Sequence, residues 1–287
     1  MWVVHWNMWL KTTLKRPSGD PPMSTATVRI NDVETFFQQL TDAKRRVLLV
    51  DYDGTIAPFQ VDRSKAVPYP TIPELLDSVM ATCSTRVVLI SGRSAREIPP
   101  LLGLRPHPEI WGSHGFERLS PEGHYEIGFL SERSLAALSE AASRLEVAGL
   151  GALAERKVGS IAVHWRGMRD QHIEEARTTC YRTLSPIACA GNLLLTEFDG
   201  GLELRARNCS KGDAVRTILA ELPIDVPVAY LGDDQTDEDA FKALKGRGLT
   251  VLVRPNYRTT SARIWLKPPG ELTQFLADWI HACGGDA

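Results

Sequence analysis

Four short apolar runs, mostly Val, Ile and Leu, recur along the chain, at 47–50, 87–90, 228–231 and 251–253. Each ends in a polar or glycine-bearing position: Asp51, Ser91, Gly232 and Arg254. The runs are continuous rather than alternating, which predicts strands buried on both faces of a parallel sheet. Elsewhere the apolar period lengthens to that of a helix. Within 211–222, Ala214, Val215, Ile218, Leu219 and Leu222 form one stripe. Within 271–281 the stripe is Leu272, Phe275, Leu276, Trp279 and Ile280, with Pro268-Pro269 before it and Gly284 after it. Strands and helices that alternate in this way predict an α/β doubly wound sheet.

The middle of the chain breaks that rhythm. An amphipathic helix is predicted at 132–149, then two strands at 155–157 and 161–165 joined by Val158-Gly159-Ser160. A second helix follows at 170–184, with Ile173, Ala176, Cys180, Tyr181 and Leu184 on one side. Strands at 193–198 and 202–205 flank the turn Asp199-Gly200-Gly201. The α-β-β-α-β-β order predicts a small α+β unit inserted in the α/β chain. We divide the chain into a core of 24–118 and 202–287, an inserted unit of 119–201 and an extension at 1–23 expected to be disordered.

The extension reads MWVVHWNMWL and has neither a basic start nor a small-residue cleavage site, so a secretory signal is not expected. It is read as an extended or misassigned start ahead of Met23, or as a contact segment using Trp2, Trp6 and Trp9. Lys plus Arg total 33 against 35 Asp plus Glu, a formal charge of −2, which excludes a global basic field for nucleic acid or an anionic membrane. No run approaches the ~18 apolar residues of a membrane span. Five cysteines, odd in number and without CxxC, support neither a disulfide framework nor a zinc ribbon, and a reducing cytoplasm is expected. The formal sequon Asn208-Cys209-Ser210 is read as coincidence.

Chemistry concentrates at the strand ends. Asp51-Tyr52-Asp53-Gly54-Thr55 places two carboxylates at i and i+2, on one face, where ligands bind in open α/β sheets. One acid can attack phosphorus while the other moves the proton; the bland alternative is an acidic turn. Ser91-Gly92-Arg93-Ser94 can cradle a phosphate or simply cap a helix, and Arg93 can clamp an anion or lie solvated. Lys211 opens a helix, where a cation is electrostatically out of place unless an anion is bound or solvent screens it. Five acids within 233–239 repel one another unless a cation such as Mg²⁺ neutralises them or helix capping engages some of them.

These four motifs in this order resemble the haloacid dehalogenase-like phosphohydrolase superfamily. Within it, DYDGTIAPF, SGRS, Gly112-Ser113-His114-Gly115, Glu155-Arg156-Lys157, His164-Trp165-Arg166, LELRARNCSKGDA and GDDQTDEDAF are similar to the trehalose-6-phosphate phosphatases. The resemblance implies a Rossmann-like core with an inserted cap of the C2B type. It implies Asp51 as nucleophile, Asp53 as general acid/base, Ser91 with Gly92 at the phosphoryl group, and Lys211 neutralising its charge. Mg²⁺ is implied on Asp51, the Asp53 carbonyl and Asp233, with Asp234 and Asp237, in no fixed rank, either as alternative ligands or behind the ligands. Arg93, Glu117, Lys157, Arg166 and Glu203 are implied near the sugar, although Lys157 and Arg166 equally suit solvated strand positions and His114 suits a structural turn. No proline separates Glu203 from Lys211, a departure that bears on the shape of that loop.

The implied reaction is hydrolysis of trehalose 6-phosphate, with a small sugar phosphate as partner and a trehalose-phosphate synthase as a further candidate partner. Three rivals stay open. They are a phosphatase for another sugar phosphate such as sucrose 6-phosphate or a glycosyl-phosphoglycerate, a phosphomutase, and a silent sugar-phosphate sensor.

Overall fold

The computed structural model describes residues 30–285 apart from Cys83, Asp199 and Asn208. The Trp-rich start, the sequon asparagine and one residue of the predicted 199–201 turn therefore lie outside the described residues. Among the described residues no helix is long and apolar enough to cross a membrane.

The chain order is α1 (Ile30–Asp42), β1 (Arg46–Val50), α2 (Ile72–Thr82), β2 (Thr85–Ile90), α3 (Ile98–Leu102), β3 (Glu109–Gly112), β4 (Glu117–Leu119) and β5 (Tyr125–Ile127). Then come α4 (Glu132–Val147), β6 (Ala154–Lys157), β7 (Ser160–His164), α5 (Asp170–Gly191), β8 (Leu193–Phe198) and β9 (Gly201–Ala206). The chain closes with α6 (Lys211–Ala220), β10 (Val228–Gly232), α7 (Glu238–Leu244), β11 (Leu249–Val253), β12 (Ile264–Leu266) and α8 (Gly270–Ala282).

The large sheet runs β12-β11-β10-β1-β2-β3-β4-β5. It is parallel from β12 to β3, and β4 and β5 add antiparallel. Both faces are covered, which explains the continuous apolar runs. Leu48 and Val50 of β1 pack with α1, α2 and α8, where Trp279 is fully buried. Val47 and Leu49 point the other way, into Val215 and Ile218 of α6 and Phe241 of α7. The predicted α/β core and its four strands are present.

The small sheet is antiparallel, in the order β6-β7-β9-β8, with α4 and α5 on one face. Alternation along its strands sorts the side chains. Ile161, Val163, Leu202 and Leu204 join Ala141, Leu145, Cys180 and Leu184 in one apolar cluster. Glu155 pairs with Ala162, Ala162 with Glu203, and Lys157 with Ser160, so these residues share the opposite, polar face.

Three expected boundaries move. Residues 201–206, all buried, form an interior strand of the small sheet, so the unit placed at 119–201 extends through β9 and the core does not resume at 202. At its other end, β4 and β5 belong to the large sheet. Helix α5, expected to stop at Leu184, passes through Pro186 to Gly191 because Ile187 and Ala188 bury against the small sheet's cluster. Asn192 then ends it in the left-handed conformation.

Candidate active site

Strand β1 lies between β2 and β10, although β10 comes much later in the chain. The strand order reverses between β1 and β10, and the crevice beyond their carboxyl ends is the expected ligand position. Asp51 follows β1, Asp233 follows β10, Ser91 follows β2, and Lys211 opens α6. Four motifs spread over 180 residues of chain are thereby brought to one cleft. The cleft encloses about 870 Å³, open solvent at its mouth included, within the range of small-molecule sites.

The acids form a buried cluster around one cation. Lys211 Nζ donates to Asp51 Oδ1 at 2.5 Å and to Asp237 Oδ1 at 2.8 Å. Thr55 Oγ1 donates to the other Asp51 oxygen at 3.0 Å. Asp237 also accepts from Tyr230 OH at 2.6 Å and from the backbone N–H groups of Asp233 and Asp234. The Lys211 ammonium therefore needs no external anion to resolve its place at a helix start, because Asp51 and Asp237 already flank it. Asp234 and Asp237 form a reciprocal cap over the turn 235–237. Asp233 differs: it is 1% exposed, and neither carboxylate oxygen has a hydrogen-bond partner. The nearest guanidinium, of Arg254, stands 3.9 Å away.

Oxygens of Asp51, Asp233 and Asp237 lie within 4.8 Å of one another. Burial pushes the Asp51 carboxyl up to about 7, against the pull of Lys211 and with added repulsion from Asp237. Burial and the charges of Asp51 and Asp237 push Asp233 well up. A buried carboxylate without a donor is costly, and a cation beside Asp51 and Asp233 would remove both the cost and the repulsion. The donor set is all oxygen, the chemistry that suits Mg²⁺. The residues present thus fit a divalent cation. Gly54 is required here: its φ is +86°, and a Cβ would collide with the Asp233 carboxylate.

The remaining expected residues divide. Ser91, Gly92, Asp53, Asp234, Lys157 and Arg166 line the cleft. The Asp234 carboxylate accepts from Gln235 N at 2.7 Å. Arg93, expected near the sugar or solvated, is not solvated. It is 2% exposed and donates a two-pronged pair to Asp53, at 2.6 and 2.7 Å. Glu117 does not reach the cleft: its buried carboxylate accepts from Ser94 Oγ, Ala95 N, Ser113 Oγ and Tyr125 OH, bracing two turns against each other. Asp53, expected to offer the metal its backbone carbonyl, has both carboxylate oxygens held by Arg93.

Glu203 sits just behind the lining. Its carboxylate meets Ser160 Oγ at 2.8 Å, His114 Nε2 at 2.9 Å and Lys157 Nζ at 3.2 Å. Burial opposes its charge, but His114 and Lys157 hold it well below the usual carboxylate range. At the mouth, Glu155 takes His164 Nε2 at 2.7 Å and also pairs with Arg63 of the core. Burial opposes that charge too, yet His164, Lys157 and Arg63 bring Glu155 down to about 2. Arg166 lies 3.9 Å over the Phe59 ring. Of these, Phe59, Arg63, His114 and His164 were not expected as site residues. Only the motifs around the two histidines carried any signal.

The sequence pattern of the trehalose-phosphatase family matches residues 49–264. A trehalose-phosphate phosphatase of Mycobacterium marinum is 30% identical over 260 residues, covering 84% of this chain and 63% of that protein. One from Mycobacterium avium is 32% identical over 254 residues, covering 80% and 62%. The chain thus spans less than two thirds of the length of these relatives. Among solved structures, the C-terminal domain of Candida albicans trehalose-6-phosphate phosphatase superposes with a TM-score of 0.71 at 20% identity, covering 93% of this chain and all of that one. A haloacid dehalogenase-like hydrolase from B. subtilis gives 0.58 at 15% identity, covering 80% and 98%. At such identities the superpositions speak for the fold, while the sequence match runs through every strand end that bears a cleft acid. This chain belongs to the trehalose-phosphatase family, on the haloacid dehalogenase-like fold.

Proposed function

We propose that the chain hydrolyses trehalose 6-phosphate to trehalose and inorganic phosphate, acting in the cytoplasm with Mg²⁺ bound at Asp51 and Asp233. The observation that carries the reading is Asp233, a buried carboxylate with both oxygens unpartnered beside an Asp51–Lys211 pair. Bound there, Mg²⁺ supplies charge neutralisation for the phosphoryl oxygens.

Monoester hydrolysis is extremely slow without a catalyst, so positioning and charge must supply most of the acceleration. An Asp51 oxygen attacks phosphorus, and the bond from phosphorus to the sugar oxygen breaks. The product on the protein is an aspartyl-phosphate. Asp53 delivers a proton to the departing sugar oxygen, and then takes one from the water that attacks the aspartyl-phosphate; the bond from phosphorus to the Asp51 oxygen breaks, inorganic phosphate leaves and the Asp51 carboxylate is restored. Both Asp53 oxygens accept from Arg93, so acid duty requires that fork to open. Ser91 and the Gly92 backbone flank the transferred group, and Lys211 offsets its charge. The polar face of the small sheet, with Lys157 and Arg166 lining the cleft, supplies hydroxyl contacts and excludes water.

The test is phosphate release from trehalose 6-phosphate, with Mg²⁺ and with chelator, using Asp51→Asn as control. Mg²⁺-dependent release absent from the control is the expected result. Release from folded protein that Asp51→Asn leaves unchanged contradicts the assignment.

A further inference from the structure

His114, in the turn at 112–115, lines the cleft, and the proposed reaction gives it no role. Ser113 and His114 both adopt left-handed backbone, with φ of 47° and 57°. Such conformations are costly for residues other than glycine and persist where surroundings enforce them. Here they place His114 in contact with three separate pieces of the site. Its backbone N–H donates to the Ser91 carbonyl at 2.8 Å, while Ser113 N donates to the Arg93 carbonyl at 2.6 Å. Its ring lies flush on Gly92, where a Cβ would come within 2.8 Å of the ring. Its Nε2 meets Glu203 at 2.9 Å, across from the core to the small sheet.

Glu203 is ionised, so the Nε2 proton belongs to the imidazole and His114 is the donor. Burial lowers the His114 pKa despite Glu203, which suits a neutral ring donating one hydrogen bond. The other end of the chain of contacts is Arg93, whose guanidinium holds Asp53. An unbroken path of hydrogen bonds and packing therefore leads from the polar face of the small sheet, through His114 and the 91–93 turn, to the acid/base carboxylate.

We propose that His114 is a positioning residue that couples the seating of the cap's Glu203 to the geometry of the phosphoryl-binding turn Ser91–Arg93. The inference rests on the phosphatase reading above. The cap engages a sugar phosphate but has little to grip on a small aryl phosphate. The consequence of the coupling is that binding energy from the sugar end reaches the reacting end.

His114→Asn keeps a residue that tolerates left-handed backbone but shortens the reach to Glu203. His114→Gln restores an amide donor near the Nε2 position. With trehalose 6-phosphate, His114→Asn is expected to lower kcat about 10–100-fold, the scale of a hydrogen bond to a charged group. With para-nitrophenyl phosphate the loss in kcat should be several-fold smaller, and His114→Gln should recover most of the loss on trehalose 6-phosphate. Equal losses on both substrates, or none on either, overturn the coupling. A second measurement needs no substrate and so separates this inference from the phosphatase reading. Glu203→Gln removes the charge on the cap side alone, and amide hydrogen exchange at Ser91, Arg93, Ser113 and His114 is expected to quicken. Unchanged protection at those amides overturns the proposal, whatever the protein hydrolyses.

Discussion

Two polar networks face each other across the cleft, and they differ in one respect. On the cap side both carboxylates are met: Glu203 has Ser160, His114 and Lys157, and Glu155 has His164 and Arg63. On the core side Asp51 and Asp237 share Lys211, but Asp233 has no donor. A satisfied network holds a shape, whereas an unsatisfied buried carboxylate awaits a ligand. On the proposed function, the core would hold the cation and carry the reaction, and the cap would serve position and recognition. Core substitutions should remove turnover, and cap substitutions should change affinity and discrimination.

The largest expected effect is on the core. Asp51→Asn should lower kcat for any phosphate ester by about 10⁴-fold or more, as loss of a nucleophile does. Asp53→Asn should cost about 10²–10⁴-fold, the scale of general acid–base catalysis. Steady-state kinetics on both variants, with circular dichroism to verify folding, would break the comparison if either kept wild-type turnover.

Metal should show the same asymmetry in stability. In the metal-free protein the Asp51 carboxyl is raised from an ordinary value near 3.8 to about 7. The unfolded chain then binds fewer protons at this group than the folded one, so stability falls as pH rises from about 4 to 7. Mg²⁺ bound there competes with the proton. Thermal melts should show a larger gain from Mg²⁺ at pH 7.5 than at pH 5, up to about 2.7 kcal/mol at a hundredfold excess over Kd. An equal gain at both pH values, or a full gain in Asp233→Asn, would contradict the cation site.

The cap predictions are smaller. Lys157→Ala should raise KM for the sugar phosphate by about tenfold, from one lost charged hydrogen bond, and leave aryl phosphate turnover nearly unchanged. Arg63→Ala opens a half-buried ion pair and should cost about 1 kcal/mol or less by melting. Glu155 titrates near 2 in the fold, against an ordinary value near 4.5. A depressed acid contributes stability above its unfolded value and loses it as pH falls through the folded one. The Arg63→Ala penalty should thus stay constant from about pH 5 upward and fade toward pH 2. A penalty that grows on acidification would contradict the pairing.

Much of this was legible from the pattern of residues. The continuous runs at 47–50 and 228–231 announced two-sided burial, and the acids ending them fall at the switch point that such a sheet creates. Three things were not legible. The strand 201–206 joins the small sheet through antiparallel pairing with 160–164 and 193–198, and its apolar run looks the same in either sheet. Arg93 and Glu117 carry motif positions but turn inward, because Asp53 and the donors of two turns lie there, contacts between residues 40 and 22 positions apart. Asp237 reads as one acid among five, and only the fold brings Tyr230 and Lys211 to it.

The central claim is that the core breaks a phosphate ester and the cap selects trehalose 6-phosphate. Its most direct test is kcat/KM in Mg²⁺ at neutral pH for four compounds, measured side by side: trehalose 6-phosphate, sucrose 6-phosphate, glucose 6-phosphate and an aryl phosphate. The account predicts a preference of about 10²-fold or more for trehalose 6-phosphate, the worth of a few hydroxyl contacts in a closed site. Turnover of the others with none of trehalose 6-phosphate would contradict it.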